Sequence, residues 1–263
     1  MKTLLTLFAS VALGLLLAGC AGMPSATPEV MQALAPSGKL RVGLYRGGPT
    51  SVIPGATPEE SKGVGHDLGK ELAKRLGVAF EPVVYASPGA LVKGADSAKW
   101  DIAFIAVSSE RAKTLSFTEP FLFVEHGYLV PAGSSVTTMD ELDRPGMRIG
   151  APEGGSVNAV LKRLIKHATV TNSANLAAGA DMLKNGEVQA FAANKANLYE
   201  LSDKLPGSRV LPGHIDLDRI GIAVPKGREA GLGYLKQFLA SAESEGLVAA
   251  AVQRARLRGI AQR

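Results

Sequence analysis

Arg111, in the run Ser108-Ser109-Glu110-Arg111-Ala112-Lys113, carries the clearest binding chemistry in the chain. It follows a β-rich run, Asp101 to Ala106, and so falls at the carboxyl end of a strand, where open α/β sheets place ligands. A guanidinium there can grip a carboxylate through two parallel N–H···O bonds, a geometry lysine cannot supply. The competing reading is a helix-surface arginine paired with Glu110 or Glu119. A second constellation is Glu153-Gly154-Gly155-Ser156, placed between a strand and a helix beginning at Val157. The glycines admit a ligand close to the backbone, and Ser156 with the first N–H groups of the helix makes an anion site. Taken alone, these residues also read as a tight turn with a serine cap. They are not a P-loop, because the Gly-Lys-Ser/Thr ending is missing, and Gly154-Gly155-Ser156-Val157-Asn158 lacks the final glycine of a nucleophile elbow. His66, His126, His167 and His214 show no i, i+4 spacing, so neither a zinc site nor any other cofactor is expected.

The chain start carries a different chemistry. Lys2 precedes the apolar run Leu4 to Leu17, which gives way to Leu17-Ala18-Gly19-Cys20, the layout of a secretory signal too short to span as a permanent helix. The Leu-Ala-Gly-Cys ending resembles the bacterial lipobox, so residues 1–19 read as a signal peptide and Cys20 as the lipidation site. An ordinary cleaved signal containing a cysteine is the alternative. Cys20 is the chain's single cysteine, which excludes an intrachain disulfide and a cysteine nucleophile elsewhere. Residues 20–36, with Pro24, Pro28 and Pro36, read as an unstructured tether. The net charge of +5 is spread along the chain without interleaved basic and aromatic runs, which argues against nucleic acid as a partner.

Positioning these groups requires an α/β scaffold. Leu40 to Leu44 reads as a first strand, a helix capped by Asp67 runs to Gly77, and Phe80 to Tyr85 is the next strand. Ser87-Pro88 opens a further helix before the strand Asp101 to Ala106. A second alternating unit follows: strand Met147 to Ala151, helices Ser156 to His167 and Ala174 to Asn185, and strand Val188 to Ala192. It lies between two similar β runs, Gly127 to Pro131 and Ile220 to Pro225. Such an insertion means the chain leaves one lobe, builds another and returns, creating a hinge with a cleft suited to small ligands. Helices Glu229 to Ser241 and Glu245 to Leu257 complete the first lobe. The boundaries read as residues 37–130 and 219–263 for lobe 1 and 131–218 for lobe 2.

The order of these motifs resembles the extracellular solute-binding proteins of polar amino acid ABC transporters, family 3. The resemblance rests on Leu40 to Leu44, on Gly65-His66-Asp67-Leu68-Gly69-Lys70-Glu71-Leu72, on Trp100-Asp101-Ile102-Ala103, and above all on Glu110-Arg111-Ala112-Lys113-Thr114-Leu115-Ser116-Phe117-Thr118-Glu119-Pro120-Phe121. Met139 to Gly150, the Gly154-Gly155-Ser156 turn and Ile220 to Lys226 continue it. It implies a two-lobed venus-flytrap fold that closes on a small carboxylate-bearing solute and delivers it to an ABC permease. It implies no enzymatic activity, a monomer, and a place on the outer side of the cytoplasmic membrane, reached through the lipid anchor.

Carried over by position, Arg111 would hold the ligand carboxylate, with Ser156 and Gly155 on the opposite lobe. Three departures bear on the ligand. Asn194 stands where amino acid binders have an aspartate for the ligand ammonium, and a neutral amide is the weaker partner for a cation. The interval from Asp101 to Arg111 is about two residues short of the family's, which shifts Ala106 and Ser108 relative to its hydroxyl contacts. Tyr45-Arg46-Gly47-Gly48 replaces the family's loop after the first strand. A retained arginine, a lost carboxylate and Arg46 in the cleft together favour a small organic acid over an α-amino acid. The alternatives are a cyclohexadienyl dehydratase-like enzyme using Glu153 or His126 as acid, and a ligand-presenting sensor.

Overall fold

The computed structural model describes residues 24–57 and 59–261, so the expected signal peptide and Cys20 lie outside the described residues. In chain order the elements are α1 (Pro28–Leu34), β1 (Lys39–Tyr45), α2 (Val64–Leu76), β2 (Ala79–Tyr85), α3 (Pro88–Ala95), β3 (Ile102–Ala106), β4 (Leu115–Phe117) and β5 (Leu122–Val130). They continue with β6 (Arg148–Pro152), α4 (Val157–Leu164), β7 (Thr169–Ser173), α5 (Leu176–Lys184), β8 (Ala190–Asn194), α6 (Lys195–Ser202), β9 (Arg209–Val210), β10 (Asp216–Pro225), α7 (Leu232–Ser244) and α8 (Leu247–Arg254).

The strands form one curled sheet ordered β2-β1-β3-β10-β5-β8-β6-β7, with β4 on β10 and β9 on β5. At each end the strands run parallel, β1 with β2 and β3 in lobe 1 and β6 with β7 and β8 in lobe 2. The two parallel units are joined by the long antiparallel strands β5 and β10. Residues 122–126 of β5 pair with β10, and residues 126–129 pair with β8. His126 is the switch position, opposite Asp216 on one side and Asn194 on the other.

Each unit buries its own core. In lobe 1, Leu40, Val42 and Leu44 of β1 and Ile102 and Phe104 of β3 pack against Leu68 and Leu72 of α2 and Leu235 and Phe238 of α7. On the other sheet face Leu91, Trp100 and Ile105 pack together, with the Trp100 indole N–H donating to the Leu91 carbonyl at 2.9 Å. In lobe 2, Ile149, Val157, Leu161 and Ala192 cover one face and Leu176, Phe191, Leu198 and Leu201 the other. Gly77 ends α2 in the left-handed conformation, where a Cβ would be strained.

The structure departs from the sequence expectations in several places. Residues 28–34, expected within an unstructured tether, form α1: Thr27 caps it, Pro28 occupies its first turn, and Leu34 is fully buried in the lobe 1 core. Asp67 does not cap α2 but lies in its first turn, where it bonds Arg254 of α8. The helix after Ser156 stops at Leu164, where Ile165 turns extended, and β7 follows as an exposed edge strand whose polar sequence carries no apolar alternation. A helix absent from the sequence reading, α6, starts directly at the end of β8, with the Asn194 side chain accepting from the Asn197 N–H.

The chain crosses between lobes a third time. After α8 the segment runs along the start of β5, the Glu125 N–H donating to the Gly259 carbonyl at 2.8 Å and the Ala261 N–H to the Phe123 carbonyl at 3.0 Å. Arg258 reaches into lobe 2, bonding both carboxylate oxygens of Asp203 and lying over the Tyr199 ring at 4.7 Å. Gly259 sits against the buried Lys195, whose ammonium pairs with Glu125 at 2.6 Å. Among the described residues no helix is long and apolar enough to cross a membrane.

Candidate functional site

β3 ends at Ala106, and a short 3₁₀ turn, Arg111–Lys113, swings Arg111 back beneath it. One Nη of Arg111 donates to the Ala106 carbonyl at 2.7 Å; the other crosses the cleft to the Gly154 carbonyl at 3.0 Å. The Arg111 backbone N–H donates to Ser108 Oγ at 3.3 Å. At 6 % exposure Arg111 is no surface arginine, and Glu110 pairs with Lys113 instead. Burial pulls the Arg111 pKa below its ordinary value, and the negative charge of Asp218 opposes that shift.

From lobe 2, β6 ends at Pro152 and Gly154, in the left-handed region, turns the chain into α4. Ser156 does not spend its hydroxyl on capping α4: Oγ lies 3.3 Å from His126 Nε2. Asn194, at the end of β8, donates its amide to Asp218 Oδ2 at 3.0 Å. His126 Nε2 lies 2.9 Å from Asp218 Oδ1, so β5, β8 and β10 converge on one buried carboxylate. Burial pushes the Asp218 pKa up, but the nearby His126 imidazole, with Ser156 and Asn194, outweighs it and holds the carboxyl at about 2.

These groups surround a cavity of about 30 Å³ between the lobes, lined by Tyr45, Ala106, Arg111, Gly155, Ser156, Asn194, Asn197 and Asp218, with Pro88, Phe104, Val157 and Ile220 as apolar walls. That volume holds a water or two but no amino acid, so a ligand enters only when the lobes part. Arg111, Ser156, Gly155, Asn194, Tyr45 and Ala106 are thus brought together as the sequence placed them. Ser108 supports Arg111 without lining the cavity. Arg46 departs from expectation: it is exposed and walls the outer groove with Tyr85, Asn175 and Leu176. Successive residues of an extended strand point to opposite faces, so Tyr45 facing in puts Arg46 out. Glu153, considered as an acid, is exposed and lines no part of the cavity.

Asp218 was missed by the sequence reading, and a signal for it existed. It stands in the same alternate phase as Ile220, Ile222 and Val224, all buried, so an acidic residue there is carried inward. His126 sits likewise in phase with Leu122, Val124 and Tyr128. Asp218 places a buried carboxylate beside Asn194, whose amide donates to it.

Two lobes hinged on paired strands, closing over a cavity with a buried cation on one wall and a buried anion on another, define a clamp for a small polar molecule. The chain belongs to the bacterial extracellular solute-binding proteins, family 3, whose profile matches residues 40–255. It is 24 % identical over 145 residues to the ABC transporter glutamine-binding protein GlnH of Bacillus subtilis (strain 168), aligning over 55 % of this chain and about half the length of that relative, 53 %. Among solved structures, the solute receptor for L-cysteine of Neisseria gonorrhoeae superposes with a TM-score of 0.78 at 22 % identity, covering 88 % of this chain and 99 % of that one. A putative binding component of an ABC transporter from Wolinella succinogenes DSM 1740, complexed with lysine, superposes with a TM-score of 0.73 at 28 % identity, covering 83 % and 95 %.

Proposed function

We propose that the protein binds an α-amino acid for an ABC uptake system, the carboxylate on Arg111 and the ammonium on Asp218. The observation that carries this reading is the presence of both charges on the walls of one interlobe cavity. A lone arginine favours any carboxylate, and the sequence reading toward an organic acid rested on the missing aspartate at 194. Asp218 restores the anion, and a zwitterion then meets a counter-charge at each end without leaving either buried charge unpaired. Ser156 and the start of α4 would close on the carboxylate from lobe 2. Amino acid binding by the glutamine-, cysteine- and lysine-associated relatives supports the same class.

The remaining parts of the reading follow from the family and the chain start. Residues 37–130 and 219–263, extended by α1, would form lobe 1 and residues 131–218 lobe 2; Cys20 would carry the lipid that holds the monomer outside the cytoplasmic membrane beside its permease. The test is calorimetric titration with a panel of amino acids, their decarboxylated amines and their deaminated acids. Binding of intact amino acids alone supports the reading. Equal affinity for the deaminated acids would return the ligand to the organic acids.

A further inference from the structure

We propose that Tyr45 and Asn197 restrict the site to amino acids with a small, uncharged, hydrogen-bond-donating side chain, of the size of serine or cysteine. This rests on the amino-acid reading above and narrows it.

Tyr45 is the last residue of β1, and its anchors Thr50 and Ser51 belong to lobe 1. Its N–H donates to Ser51 Oγ at 2.8 Å, and its phenol shares a hydrogen bond with Thr50 Oγ1 at 2.7 Å. Thr50 and Ser51 are buried, and the ring packs in the cluster with Leu91, Trp100 and Ile105. Burial, partly offset by the Thr50 hydrogen bond, holds the phenol pKa at about 12, so it stays neutral in the pH range of the cell. Asn194 of lobe 2 also reaches the phenol, but the Thr50 bond and the apolar packing lie within lobe 1, so the ring stays with lobe 1 when the lobes part. Space for a ligand opens between Arg111 and lobe 2, and the ring still closes the lobe 1 end of a cavity that measures about 30 Å³ when shut.

The charge inventory narrows the class further. Among the described residues Arg111 and Asp218 are the only charged ones lining this cavity, and in this reading both are engaged by the ligand's own carboxylate and ammonium. A charged ligand side chain would be buried with no counter-ion, the costliest arrangement for a polar group. The other polar side chains on the walls are Ser156, whose hydroxyl bonds His126, Tyr45, whose phenol bonds Thr50, Asn194, which holds Asp218, and Asn197. Asn197 is 4 % exposed and its Oδ1 has no hydrogen-bond partner. Buried acceptors in folded proteins are almost always satisfied, and a hydroxyl or thiol on a short side chain supplies the donor.

Calorimetric titration of the full chain with glycine, alanine, serine, cysteine, glutamine, lysine and arginine tests this directly. Serine or cysteine should bind at least about tenfold more tightly than alanine and about 100-fold more tightly than glutamine, lysine or arginine. Tyr45→Ala should raise the affinity for glutamine relative to serine, and Asn197→Ala should abolish the preference for serine over alanine, with circular dichroism confirming that each variant is folded. Wild-type protein that binds glutamine or arginine as tightly as serine overturns the size limit while the amino-acid reading stands. Protein that binds no member of the panel overturns that reading and this inference with it. The wild-type titrations decide the matter even if a variant does not fold.

Discussion

Gly89 and Gly154 meet backbone to backbone across the closed cleft. A Cβ placed on Gly154 would lie 2.4 Å from the Gly89 Cα, and one placed on Gly89 would lie 3.1 Å from the Glu153 carbonyl oxygen. Gly89 is at the start of α3 in lobe 1, and Gly154 makes the turn into α4 in lobe 2. Any side chain on Gly154 would force the lobes apart, and a side chain larger than a methyl group on Gly89 would do the same.

The first prediction follows from that contact. Gly89→Leu should leave lobe 1 folded, because Gly89 has an ordinary helical backbone, yet prop the cleft ajar. We expect a midpoint of thermal unfolding within a few degrees of wild type, a larger radius of gyration by small-angle X-ray scattering, and ligand affinity at least about tenfold weaker, as for any binder whose competent state is depopulated. An unchanged affinity would show that closure does not bring these glycines together.

Asp218 gives the protein an acid-sensitive stability. Its pKa is held at about 2 in the fold, below the value of about 3.8 for a free aspartate, so its contribution is complete above about pH 4 and is lost as the pH falls toward 2. A depression of this size corresponds to stability on the order of 2 kcal/mol. Urea unfolding at pH 5 and at pH 2.5 should show this loss in wild type, and Asp218→Asn should be less sensitive over the same interval. Equal slopes in both proteins would refute the assignment.

Arg111 is predicted to be irreplaceable by lysine. Its fork reaches the Ala106 and Gly154 carbonyls at once, and the same planar geometry suits a carboxylate. Titration of Arg111→Lys and Arg111→Ala should show affinity reduced by about 30-fold or more in both, since truncating one partner of a buried charge pair costs at least about 2 kcal/mol. Wild-type affinity in the lysine variant would mean that charge alone suffices.

Away from the cleft, Asp101 is fully buried between Arg41 of β1, which it accepts through both carboxylate oxygens, and Arg228 beyond β10. Asp101→Ala removes the common partner of both guanidinium groups and the acceptor of the Arg41 backbone N–H. Chemical denaturation should report a loss of about 3 kcal/mol, in the range for breaking a buried ion pair. A loss below about 1 kcal/mol would assign the cluster to the solvated surface.

Much of the scaffold was legible because its signals are local. The runs Leu40–Leu44, Phe80–Tyr85 and Ile220–Pro225 are β-rich and bounded by breakers, and Ser87-Pro88 carries a cap and a first-turn proline in adjacent positions. What escaped depends on distant neighbours. β7 is a strand only because β6 pairs with it, and α1 is a helix whose buried Leu34 needs the core of lobe 1. At the site, Arg111 was visible as a charged residue past a strand end. Asp218 needed the phase of β10 to be read across the step from Asp218 to Ile220, and Arg46 needed the same rule applied to β1. The organic-acid expectation failed to count Asp218 because a carboxylate can reach one point in space from two strands, and only the topology says which strands those are.

The segment beyond α8 changes what a binding constant measures in this protein. Arg258 fastens that segment to α6, so the lobes are joined at a third place besides β5 and β10. The Arg258–Asp203 pair is about half exposed and is therefore weakened by salt, unlike the deeply buried contacts around Asp218. Raising ionic strength therefore loosens this third link between the lobes while leaving the contacts around Asp218 in place, so binding constants are comparable only at matched salt.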